Sequence, residues 1–109
     1  MNNWERLTIY VNESDHWQGK PLFLALVETA RQHQLAGATV VRAAEGYGVR
    51  QHQQIHTDRM MELADLPMIV TIIDSTEAIA QFLPVVLAMV KVGLTTQESV
   101  NVVHHAPIN

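Results

Sequence analysis

The chain has no cysteine. That absence excludes disulfides, thiolate metal sites and cysteine nucleophiles, and it suits a reducing compartment. Basic residues are scarce too, with seven Lys and Arg against eleven Asp and Glu and a net charge of −4. They are scattered from Arg6 to Lys91 and form no stripe. A nucleic-acid surface needs such a stripe, so no nucleic-acid partner is expected. Long hydrophobic runs are missing as well. The longest, over 83–90, is well short of the roughly 20 residues that cross a bilayer as a helix, so direct membrane insertion is not expected. The opening MNNWERLTIYVNE lacks the basic start and apolar stretch of a signal peptide, which leads to the expectation of a cytoplasmic protein. No internal repeat or low-complexity segment stands out.

What is present is a chain of 109 residues, 48% of them hydrophobic and only 17% charged. Disorder is disfavoured by that balance, and the length suits one domain over 1–109 with one real core. The organising stretch is 37–74. Two apolar runs, GATVVRAAEGYG and DLPMIVTIID, flank a polar segment with no periodicity. Gly46 and Gly48 can release the chain from the first run through positive φ. Pro67 is tolerable where the second run starts a strand.

In chain order, Leu7, Ile9 and Val11 alternate with Trp4, Arg6, Thr8 and Tyr10, so the spacing predicts a strand over 4–11. A polar connection follows over 12–19. A helix begins near Lys20-Pro21, carries the stripe Leu22, Phe23, Leu26, Val27 and Ala30, and ends before Gly37 as its terminator. A second strand is predicted over 38–45 and a third over 66–74. A second helix starts at Asp74 or Ser75 with Glu77 in its first turn, and buries Ile79, Phe82, Leu83, Val86, Met89 and Val90. Pro84 lies inside it and predicts a kink, or a break and restart. Gly93 ends that helix. A fourth strand is predicted at Val100, Val102 and His104, with a loose tail beyond.

The order βαββαβ, with right-handed crossovers, predicts an α+β fold. It is the ferredoxin-like sandwich, an antiparallel sheet of order 4-1-3-2 with both helices on one face. The third strand is apolar at both parities: Met68, Val70 and Ile72 on one face, Leu66, Ile69 and Ile73 on the other. Two helices cover only one face of a sheet. The expectation is that Trp4 and Tyr10 look out of the other, and that copies of the chain associate through it.

The fragments Gly37-Ala38-Thr39-Val40-Val41-Arg42, Glu45-Gly46-Tyr47-Gly48, Ile55-His56-Thr57 and Asp65-Leu66-Pro67, with Phe82-Leu83-Pro84 and Gly93-Leu94 further on, occur in an order that resembles the PII-like signalling superfamily. Within it they look most like the branch filed as domain of unknown function 190. The resemblance implies a ferredoxin-like homotrimer and a non-catalytic signalling or regulatory role. It implies a small ligand, an adenine nucleotide in PII proteins, bound in clefts between subunits. It also implies a loop that reaches a partner protein such as a membrane transporter or channel. Carried onto this chain, the ligand residues are Gly46, Tyr47, Gly48, Arg50, Gln51 and Lys91. The partner loop is 49–61, with Arg50, His52, His56 and Arg59. The stretch RQHQQIHTDR has nine polar residues in ten, which suits an exposed role because burying it unpaired is costly. The chain departs from PII before the last strand, where GLTTQES has one glycine, no lysine and an acid. A triphosphate would meet little positive charge there, whereas an adenine nucleotide of lower charge or another small ligand would need less.

Six histidines is a high number for this length. His52 and His56, four apart, would share one face of a helix and could hold a divalent metal, the alternative to a ligand-sensing role. The neighbours His104 and His105 would point to opposite faces of a strand. The pairs Glu62 with Asp65 and Asp74 with Glu77 read as surface and helix-start charges. The adjacent Ser14-Asp15-His16 cannot form a triad. No nucleophile, base and oxyanion donor assemble, so an enzyme is not expected.

Overall fold

Strand β1 (Trp4–Asn12) buries Leu7, Ile9 and Val11 on one side, as its alternation requires. A short hairpin follows, β2 (His16–Trp17) against β3 (Lys20–Pro21), and leads into helix α1 (Leu22–Gln32). Then come β4 (Gly37–Arg42), β5 (Pro67–Ser75), helix α2 (Thr76–Met89) and β6 (Leu94–Val100). The computed structural model describes residues 3–44 and 65–106. The main sheet has four strands in the order β4-β5-β1-β6, every neighbouring pair antiparallel. This is the expected 4-1-3-2 order of a ferredoxin-like sandwich.

The core lies between one face of the sheet and the two helices. Leu7, Ile9, Val70 and Ile72 from the sheet meet Leu26, Ile79, Phe82 and Val86 from the helices, all essentially without solvent contact. Each such side chain contributes on the order of 1.5–3 kcal/mol by leaving water. Ser75 caps α2 as expected: its Oγ accepts the Ala78 N–H at 3.1 Å, with Glu77 in the first turn.

Several boundaries differ from the sequence expectation, each for a physical reason. The connection over 12–19 contains β2 and half of a hairpin. Gln18 and Gly19 both have positive φ, 49° and 86°, the two-residue turn that suits the twist of a hairpin. Pro21 caps α1 rather than occupying its first turn. Gly37 does not end that helix. Gln34 does, at φ 60°, with Gln34 N–H donating to the Arg31 carbonyl and Leu35 N–H to the Ala30 carbonyl. That double bond pattern is a Schellman termination, normally built on glycine. Helix α2 runs unbroken through Pro84 instead of breaking and restarting. Pro84 and Ala80, whose carbonyl loses its usual partner, both lie on the exposed side, where water can serve it. Helix α2 ends at Met89 with Val90 as its C-cap, ahead of Gly93. The fourth strand is Leu94–Val100, well ahead of the expected Val100, Val102 and His104. Residues 101–106 form no strand, so His104 and His105 do not alternate across a sheet.

Candidate functional site

The pairing register sorts the open face into rows. Val41, Ile69, Tyr10 and Leu94 stand directly opposite one another across all four strands. The next row is Thr39, Thr71, Thr8 and Thr96, and the next is Gly37, Ile73, Arg6 and Glu98. Directly paired residues in antiparallel strands share a face and lie within about 4.5–5.5 Å. The first row is therefore one continuous apolar band. It is wet: Val41 is 53% exposed, Tyr10 39% and Leu94 54%. Tyr10 faces outward as expected. Trp4, also on this face, is half-buried, with the His105 ring edge-on at 5.2 Å. The only charges in these three rows cancel, since Arg6 and Glu98 pair at 2.8 Å.

The apolar band lies at one end of the sheet, and that end also gathers polar groups. Arg42, Pro67, Asn12 and Leu94 all terminate strands there. Glu13 N–H donates to the Leu66 carbonyl and Ala43 N–H to the Pro67 carbonyl. Asp65 is buried, and its Oδ1 accepts the Ser14 N–H at 3.1 Å. Asp15, also buried, accepts the Asn12 N–H at 2.9 Å. Arg42 forms an ion pair with Glu13 within the chain. These contacts tie residue 43 to the start of β5, and Asp65 and Arg42 to the residues just after β1.

Of the expected ligand residues, Lys91 is described: it is exposed, in the turn between α2 and β6 at this same end of the sheet. Gly46, Tyr47, Gly48, Arg50 and Gln51 lie outside the described residues, as do His52, His56 and Arg59 and the whole 49–61 loop. Among the described residues no three His, Asp or Glu side chains gather as a metal centre would need. His16 and His33 each hold a backbone carbonyl through Nδ1, those of Ser14 and Thr29. The expected set missed Val41 and Leu94, whose place in the band depends on a register that no single strand reveals. It also missed the buried carboxylates Asp15 and Asp65.

The DUF190 family model, described as "Uncharacterized ACR", matches residues 4–102. The chain belongs to the DUF190 family. It is 37% identical over 99 residues to a UPF0166 protein of Aquifex aeolicus, an alignment covering 90% of this chain and 91% of the relative. A UPF0166 protein of Methanocaldococcus jannaschii is 29% identical over 85 residues, 78% of this chain and 77% of that one. The match takes in both helices and all strands of the main sheet, so the open face belongs to the DUF190 region of the chain. Among the described residues no helix is long and apolar enough to cross a membrane.

Proposed function

We propose that this DUF190 chain is a non-catalytic regulatory protein of the PII-like kind, a homotrimer that holds a small ligand in the clefts between subunits and meets a partner protein through loop 49–61. The observation that carries this is the wet apolar band of Val41, Ile69, Tyr10 and Leu94. A band of that kind, on a face without net charge in its three rows, suits a second copy of the same chain. The band ends beside the turn that carries Lys91 and close to Ala44 and Asp65, which flank 45–64. Copies meeting there would bring those groups to a shared crevice, and such crevices suit small ligands. An adenine nucleotide of low charge is the ligand favoured by the PII resemblance together with the lysine-poor GLTTQES stretch.

Two measurements test this. Sedimentation at micromolar concentration is expected to give a species of three chains, and a stable 12.2 kDa monomer overturns the assembly and the clefts with it. Calorimetry with AMP, ADP and ATP is expected to give saturable heat, weakened by Lys91→Met. Absence of heat with all three nucleotides overturns the nucleotide assignment and leaves the assembly standing.

A further inference from the structure

The open face has an apolar group at each end, and the two ends differ. At one end Val41, Tyr10 and Leu94 stand in water. At the other stands Trp4, in a row with Ser75 and Val100, and Trp4 is half-buried. The chain's own tail lies against it. β6 finishes at Val100, the residue paired with Trp4. A tail that simply continued this strand would carry residue 105 about 17 Å past that pair. Instead the His105 ring sits edge-on to the Trp4 ring, with centroids 5.2 Å apart and planes at 67°. The chain therefore leaves the sheet beside Trp4 and turns back onto it.

The two sides of this contact are held very differently. Trp4 is fixed. It lies in β1, between β5 and β6, and the Asn3 carbonyl before it accepts both the N–H and the hydroxyl of Thr76, at 2.7 and 2.9 Å. The tail is not fixed in this way. Residues 101–106 form no strand, Val103 is 89% exposed, and among the described residues no hydrogen bond or ion pair holds this segment. The ring contact is its defined tie. An aromatic pair of this geometry favours the closed arrangement by about tenfold at most, and ordering the tail subtracts from that. The open arrangement is then a standing minor population.

We infer that the C-terminal tail is a displaceable strap: His105 covers Trp4 in the closed state, and lifting the tail uncovers the one tryptophan of the open face. The strap lies within one chain and depends on no assembly. Closed, it leaves the Val41–Leu94 end as the free apolar end of the face. Open, it adds a second.

Fluorescence tests this directly. Trp17 is the only other tryptophan and packs against the core, so a Trp17→Phe protein reports Trp4 alone. In that background, acrylamide quenching is expected to rise about twofold or more with His105→Ala, and the emission to move to the red. His104→Ala is expected to leave both unchanged, and His105→Phe, which keeps an edge-on ring, to restore the native values. A chain ending at Asn101 is expected to match His105→Ala. Unchanged quenching in His105→Ala overturns the strap. An equal rise in His104→Ala, or no restoration by His105→Phe, overturns the assignment to the His105 ring. A chain ending at Asn101 that is quenched far more than His105→Ala shows a tail held by other contacts, and overturns release through one ring. The unmodified protein gives an independent check. Proton NMR is expected to show cross-relaxation between the Trp4 and His105 rings, and its absence overturns the closed state.

Discussion

Gly93 is the position where one added methyl group does most harm. A Cβ there would lie 2.6 Å from the Tyr10 carbonyl oxygen, and the residue sits at φ +156°, which L side chains rarely adopt. The obstacle is backbone in the central strand β1, so it cannot rotate away. Gly93→Ala is expected to destabilise the protein by about 2–4 kcal/mol, combining overpacking with backbone strain. Urea unfolding would measure it, and a loss below about 0.5 kcal/mol would show that the turn relaxes. Gln34 is the opposite case. It ends α1 at φ 60° with a side chain where glycine is favoured. Gln34→Gly is expected to stabilise the protein by up to about 1 kcal/mol, because relief of left-handed strain exceeds the extra freedom of the unfolded chain. A lowered urea midpoint in this variant would mean that the Gln34 side chain has a packing role.

At the scale of elements, the β2–β3 hairpin is fastened to α1 by Lys20 Nζ, 2.8 Å from Glu28 Oε1. The hydrogen bond from Lys20, and then its charge, hold the Glu28 carboxyl below its ordinary value of 4.5. A lowered folded-state value means that the contact stabilises above the unfolded-state value and is lost as pH falls through the folded one. NMR titration of Glu28 is expected to return toward 4.5 in Lys20→Met and to move the same way in high salt. An unchanged titration would place the cause elsewhere. This hairpin was not legible in the sequence, because two-residue strands have no periodicity and Gln18-Gly19 is a weaker turn signal than Asn-Gly. β6 was hidden for a related reason: LTTQESV is an edge strand wet on most of its length, so burial left no alternation to read. By contrast β1, β5 and both helices were legible, since each buries a face whose period is written in Leu, Ile, Val and Phe. Of the candidate site, the sequence carried the outward Tyr10 and the two-sided β5. Val41 and Leu94 joined them only through register, and most of the ligand residues it pointed to fall in 45–64, outside the described residues.

At the scale of the molecule, exposure alone does not mark an interface. Leu87 on α2 is 59% exposed and Leu24 on α1 is 47% exposed, yet each is one apolar side chain on a helix surface, an ordinary feature of soluble proteins. Leu94 is no more exposed than Leu87, but it is the end of a row that crosses the whole sheet. Copies that associate through this row must desolvate whatever stands in it. A lysine placed there keeps its hydration only if the copies stay apart, while a lysine at position 87 remains in water either way. Leu94→Lys, and Val41→Lys independently, are therefore expected to weaken self-association at least about tenfold, a cost of about 1.4 kcal/mol or more per contact. Leu87→Lys is expected to leave it unchanged. Far-ultraviolet circular dichroism should stay native in all three, because none of these side chains belongs to the core between sheet and helices. Sedimentation across a dilution series measures the association. If Leu87→Lys dissociates the protein as readily as Leu94→Lys, the copies meet through helices, and the open face of the sheet has some other occupant.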